Sequence, residues 1–471
     1  MRRIEAPIWK KYITWQTLMA VFVLFEMLAM CARHYNTFYI DRLWPQIGFP
    51  LTIGFAGAVL SRAYIRSRPG MRWLIAYFFW YLAVLIINRW YLAHEFGDFR
   101  VVIYRLLFVT LVCYPLGNEL VTRRKTARAV FGILTGAMAA MSGVGLFCIV
   151  FQTHWYAPYQ HGAVGLLTEQ YTGLRLYLFA HPNIAGAALM LTMLLCVYLW
   201  LTAKSRAAKV LHGICFALHF FALALTVSRT AMLAASAGIA LLPFLWVMDR
   251  MRPSRPRLAW VAGIACAGLA MALCFASLNL AVWGTGKLVQ VPAATAQDAA
   301  PGAAQSTGVD LLSQREQLGA TDLLSGRTVI WDAALRTVAA YPTLLVKGAT
   351  LERLMLTIHS RMPQASEFLH LHNSYLTVLI GMGLPGFLLL LGFLLLLARC
   401  SLRLMLHSEA SLGQRFLPAI VLGSLIAGMA EPFFFTGGYF MDRLFFVVAG
   451  MIVASAKGGS PWKDLSPKKN R

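Results

Sequence analysis

Charge is scarce in this chain: Asp, Glu, Lys and Arg make up 13% of its 471 residues, against 59% apolar ones. A soluble globular domain carries about 25% charged residues, so that class is excluded. Cysteine is sparse too. Cys31, Cys113, Cys148, Cys196, Cys215, Cys266, Cys274 and Cys400 all fall within or beside apolar runs, and none forms a CxxC pair. Neither a disulfide framework nor a zinc site is expected, and the eight read as small buried residues. Nucleotide signatures are missing as well. The segments between apolar runs hold no P-loop or Gly-rich fingerprint, which argues against nucleotide-dependent chemistry. No internal repeat is visible.

What the chain has instead is long apolar runs. Stretches of about 18 or more residues recur, the length that crosses a bilayer as a helix. The first begins near Ile13 and ends near Cys31 with no small-residue cleavage site after it, so it is expected to be retained as a span. The expected spans are 13–32, 46–61, 73–88, 101–118, 129–151, 182–202, 209–227, 230–248, 258–281, 374–398, 416–435 and 439–456. The fold class is therefore an all-α polytopic membrane protein of about twelve transmembrane helices.

A formal charge of +23 raises the question of nucleic acid, but the distribution answers it. Basic residues cluster at Arg2 to Lys11, Arg62 to Arg72, Arg123 to Arg128, Lys204 to Lys209, Arg250 to Arg257, Arg399 to Arg415 and Lys457 to Arg471. These segments alternate with others poor in Lys and Arg, the pattern that marks cytoplasmic loops. Both termini then face the cytoplasm. Residues 1–282 hold nine helices and a smaller outward loop at 152–181. A large outward loop follows at 283–373, then three helices at 374–456 and a basic tail at 457–471.

Within the large loop, 292–309 reads as a flexible, low-complexity insertion. Ser325 is a plausible N-cap for a helix running to about Tyr341, where Pro342 stops it. Trp331, Ala334, Leu335 and Val338 fall on one face of that helix. The 152–181 loop carries His154, Trp155, Tyr156, Tyr159, His161, Tyr171, Arg175, Tyr177 and His181. Such aromatics serve equally as interfacial belt residues or as stacking surfaces for sugar rings.

Three outward residues carry candidate chemistry. His372, followed by Asn373, ends the long loop just before an apolar run, where an imidazole can take a proton from a hydroxyl near neutral pH. Arg229 lies in the short turn Ser228-Arg229-Thr230 between two spans, where a guanidinium either snorkels to the interface or meets an anion. Arg327 sits in the first turn of its helix, where the dipole disfavours a cation unless both hold a phosphate. Together they fit a lipid-linked phosphate or diphosphate, which arginine forks match in geometry. The outward segments contain no DxD or other paired-carboxylate motif, so no metal is expected. Further candidates are Arg175, Glu431 near the outer end of the eleventh span, and Asp442 early in the twelfth. Glu26 and Arg105, also embedded in apolar runs, are assigned to packing or interface anchoring.

The chain resembles the O-antigen ligase family, within a superfamily that also holds O-antigen polymerases and protein O-oligosaccharyltransferases. His372, Asn373, Gly383 and Gly386 fit the family's histidine motif: His, then Asn, Ser or Gln, nine residues, and Gly-x-x-Gly. Leu225-Thr-Val-Ser-Arg-Thr-Ala231 is similar to its Ser-Arg segment, and Ser325-Gly-Arg-Thr-Val-Ile-Trp331 to its Gly-Arg…Trp segment. The neighbourhood of Pro182, Asn183 and Ala185 is also alike, although His181 stands at a position that often differs. The likeness covers roughly residues 130–456.

The resemblance implies a GT-C-like glycosyltransferase in the bacterial inner (cytoplasmic) membrane, with its active site and the large helical loop facing the periplasm. The implied donor is a glycan on undecaprenyl diphosphate and the implied acceptor is the lipid A–core oligosaccharide. No cofactor, nucleotide or nucleic acid takes part. His372 is then the general base, and Arg229 and Arg327 neutralise the leaving diphosphate. Asn373, Arg175 and Glu431 contact substrate. The motif spacing favours a ligase. A polymerase extending another lipid-linked repeat shares the same motifs. A lipid-linked glycan transporter fits less well, because the ionisable residues gather on one face and no pseudo-symmetry is visible.

Overall fold

The computed structural model describes residues 14–32, 44–66, 68–88, 103–151, 171–172, 175–176, 182–288, 327–351, 353–361, 370–407, 409–436 and 438–457. Each expected span overlaps a helix among the described residues. The helices are α1 (Trp15–Ala32), α2 (Trp44–Ser61), α3 (Met71–Ile87), α4 (103–120), α5 (Arg124–Phe151), α6 (Pro182–Thr202) and α7 (Arg206–Leu225). They continue with α8 (Arg229–Met251), α9 (Pro256–Leu288), α10 (Arg327–Ala340), α11 (Leu354–Arg361), α12 (Ser374–Leu406), α13 (Leu412–Gly428) and α14 (Phe440–Lys457). Six of these (α5 to α9 and α12) are long and apolar enough to cross a membrane by length and composition; α1, α2, α3 and α13 are shorter apolar helices. The chain is an all-helical, polytopic membrane protein. Among the described residues its β structure is one antiparallel pair, β1 (Tyr171–Thr172) with β2 (Arg175–Leu176).

The centre of the bundle is α14 against α4. Gly117 and Gly450 face each other so closely that a Cβ on either would overlap the partner helix's backbone carbonyl. In a membrane, where apolar burial drives little association, such close backbone contact is what holds helices together. Within α4, Val109–Cys113 forms a π-helical turn, all of it buried.

An ion pair crosses this core. Arg443 of α14 lies 3.3 Å from Glu26 of α1, and the Tyr104 hydroxyl donates to the same carboxylate. The Arg443 guanidinium also lies over the Phe108 ring, 5.2 Å from its centroid. Glu26 is thus a packing residue, as its place in an apolar run leads one to expect. Asp442 is fully buried one residue before Arg443.

Four expectations change. The eleventh span stops at Gly428 rather than 435, because Pro432 disfavours helical backbone at the residue before it. Glu431 therefore sits in an irregular, buried segment with Phe433, Phe434 and Phe435. The buried face of α10 is Ile330, Ala333, Ala334 and Thr337, while Leu335 is exposed. Small residues win that face because it presses onto Leu371 and Ile380 in a tight secondary core. Cys266 is exposed, since α9 is the helix with least of its surface buried. The seven described cysteines are all free.

Arg2 to Lys11, the 292–309 insertion, Ser325 and the tail beyond 457 lie outside the described residues. So does most of 152–181, including His154, Trp155, Tyr156, Tyr159, His161, Tyr177 and His181.

Candidate active site

The site begins with a broken helix. Pro385 has no N–H, so the Gly381 carbonyl one turn earlier loses its helical partner. The structure supplies one from outside: the backbone N–H of Thr350 donates to Gly381 O at 3.0 Å, and Ala349 N–H to Ile380 O at 2.9 Å. Gly383, at φ 70°, makes the break. A Cβ there would meet the Leu345 and Val346 carbonyls at 2.9 Å, so only glycine admits both the torsion and the neighbour. The Trp80 indole N–H donates to Met382 O at 2.7 Å, satisfying a second displaced carbonyl. Gly383 is therefore structural, shaping α12 so that residues 344–351 dock beside its first turns.

That docking fixes α10, whose buried face shares a small core with Leu344, Leu371 and Ile380. The Trp331 indole N–H donates to Leu371 O at 2.9 Å, immediately before His372. Asn373 is the N-cap of α12. Its Oδ1 accepts from Tyr375 N and Leu376 N, both at 3.0 Å, and its Nδ2 donates to Met429 O at 3.0 Å. Ser374 Oγ donates to Glu431 O at 2.6 Å and accepts from Phe434 N at 3.2 Å. Residues 372–374 are thus strapped to 429–434.

The strap brings three side chains together. Arg327 Nη2 donates to Glu431 Oε1, and the other carboxylate oxygen, Oε2, lies 3.3 Å from His372 Nδ1. Glu431 is only 2% exposed, whereas His372 retains 23%, so the carboxylate is sealed while the imidazole stays reachable. A carboxylate that deeply buried needs compensation, and the Arg327 guanidinium provides it. The His372 backbone has φ 47°, a left-handed conformation uncommon for a non-glycine residue. Val227, just before Ser228-Arg229, and Phe435, just after Glu431, share that torsional region. Backbone held this way concentrates at functional sites.

Arg229 is at the same end of the bundle. Asp249 pairs with Arg415 at 2.6 Å, Gly238 lies against the Ala419 carbonyl, and Gly423 lies against that of Ala234. These contacts set α8 antiparallel to α13 and put Arg229 level with the end of α13, just before Glu431. No hydrogen bond or ion pair joins Arg229 to Arg327, His372 or Glu431 among the described residues. Its turn packs over the start of α6, where Gly186 lies against Ser228, so the Pro182–Ala185 and Ser-Arg segments are neighbours. Arg175 is on β2, paired with Thr172; its side chain lies outside the described residues.

Two further residues border this site. His370 stacks on His372, ring centroids 4.5 Å apart. Arg105, assigned to packing or interface anchoring, lines a cavity of about 320 Å³ together with His370, Thr377, Pro432 and Tyr439. The alternation His370-Leu371-His372 was the available signal for the first; for Arg105 it was an ionisable side chain within an apolar run. Among the described residues, no three His, Cys, Asp or Glu side chains gather as a metal site would require.

No curated protein matches this chain. The family model described as O-antigen ligase matches residues 214–391. That stretch runs from α7 through the break in α12, taking in Arg229, Arg327, His372 and both motif glycines, and stops before Glu431. Residues 214–391 are thus similar to the O-antigen ligase family, which at the coarse level implies a ligase/polymerase type of membrane glycosyltransferase.

Proposed function

We propose that the protein is an O-antigen ligase. It transfers a glycan from undecaprenyl diphosphate to the lipid A–core oligosaccharide at the periplasmic face of the inner membrane, without metal or nucleotide and with inversion. The observation that carries this reading is the sharing of one buried carboxylate, Glu431, between Arg327 and His372.

In this mechanism Glu431 accepts from the His372 Nδ1–H, which leaves Nε2 unprotonated as the base. The acceptor hydroxyl gives its proton to Nε2 while its oxygen attacks the anomeric carbon. The bond from that carbon to the diphosphate oxygen breaks, and its electron pair leaves with the diphosphate. Arg229 and the remaining N–H donors of Arg327 neutralise the charge that develops there, an effect concentrated in the transition state. Asn373 caps α12 and so sets the position of His372, and Arg175 extends the donor site from the smaller loop. The cavity bounded by His370 and Arg105 has the volume for an acceptor sugar beside the base.

The test uses purified protein in nanodiscs with lipid-linked glycan, lipid A–core, EDTA and no nucleotide. A shifted core band with wild type, lost in His372→Ala while donor binding persists, is the expected result. General-base removal should slow transfer by about 10²–10⁴-fold. Lengthening of the lipid-linked glycan with no change to the core would make the protein a polymerase. Donor binding with neither product would point to transport.

A further inference from the structure

At the end of the bundle opposite His372, a second cavity of about 240 Å³ opens between the C-terminal ends of α4, α6 and α14 and the N-terminal ends of α5 and α13. Arg124, Arg128 and Lys204 line it, and no Asp or Glu does. Arg124 and Arg128 stand one helical turn apart on the same helix, so both charges face the cavity together. Arg128 is half-buried and makes no hydrogen bond or ion pair among the described residues. The wall also carries polar side chains, among them Thr202, Ser411 and Gln414, and apolar ones, among them Val121, Leu201 and Met451. A free inorganic anion has no use for the apolar part of the lining. A glycerophospholipid has both parts: a phosphodiester for the cations and acyl chains for the Leu201 side.

We propose that this cavity binds the phosphodiester headgroup of an anionic phospholipid. Basic pockets between transmembrane helices suit such headgroups, because each charge-assisted hydrogen bond is made out of reach of bulk water. The surroundings add to the attraction, since Arg123 and Lys125 flank Arg124 in the chain. The site lies away from the glycosyl-transfer residues and does not depend on their assignment. It joins five helices, so its occupant would brace the scaffold that carries α12 and α13.

Native mass spectrometry of the full chain, released from nanodiscs of dioleoyl phosphatidylglycerol or dioleoyl phosphatidylcholine, tests this. Wild type should retain phosphatidylglycerol and not phosphatidylcholine. Arg124→Gln with Arg128→Gln should lower that retention about tenfold or more, as expected for losing two charge-assisted hydrogen bonds. Arg255→Gln with Arg257→Gln, exposed at the same end but outside the cavity, should leave it unchanged. Equal loss in both double variants would mean only diffuse surface charge and would overturn the site. Stabilisation of wild type by inorganic phosphate to the same extent as by phosphatidylglycerol would overturn the lipid assignment. Lys204→Gln, at an exposed position where folding is not at stake, should lower retention about two- to threefold; no change there also counts against the site.

Discussion

Glu431 Oε2 lies 3.3 Å from Nδ1 of His372, across 59 residues of chain, on a carboxylate that is 2% exposed. The contact gives the imidazole an orientation that its own loop does not provide. It also turns Glu431 from the substrate-contacting residue expected from sequence into a proposed positioning residue.

Replacing Glu431 with Gln preserves shape and removes the charge. Transfer should fall on the order of 10²-fold or more, as for carboxylates that orient a catalytic imidazole elsewhere. The loss should appear in kcat, with donor KM nearly constant, and Glu431→Asp should recover part of it. A matched fall in donor affinity would return Glu431 to direct substrate contact.

Arg327 serves the carboxylate and the proposed diphosphate at once, which needs a forked donor set. Arg327→Ala should cost about 10²–10³-fold in initial rate, the scale of losing a transition-state donor. Arg327→Lys keeps the charge but not the fork and should recover little. Full recovery by Lys, measured in the core gel-shift assay, would show that charge alone suffices.

The break in α12 predicts a stability effect at Gly383. Gly383→Ala forces φ 70° on a residue with Cβ and presses that Cβ on two carbonyls, which should destabilise by about 1–3 kcal/mol. Gly143→Ala, in α5 with open space around it, should be neutral or slightly stabilising. Thermal unfolding in detergent compares them, and similar shifts would contradict the geometry.

Glu26→Ala would leave Arg443 charged in the core. Breaking a buried pair on one side costs about 3–5 kcal/mol. Folded yield should drop sharply, whereas Glu26→Leu with Arg443→Met should recover most of it. A double variant as damaged as the single one would assign the pair a role beyond packing.

The helical, membrane-spanning class followed from sequence alone, because apolar run length is a local property. The tight α7–α8 turn and the Arg327 helix start were legible for the same reason: each depends on a few consecutive residues. The end of α13 was misjudged because apolar composition continued through the Phe433–Phe435 stretch after Pro432 had already broken the helix. The buried face of α10 was misjudged because periodicity marks apolar positions, while the tight contact with Leu371 selects small ones.

What only the tertiary structure decided is which charges meet. Glu431 and Glu26 look alike in sequence, each a lone carboxylate in an apolar stretch. One closes on His372 and Arg327, and the other on Arg443 at the bundle core. Their partners lie 104, 59 and 417 residues away, and no local pattern encodes separations of that size. A buried charge must find compensation somewhere; helix packing decides where.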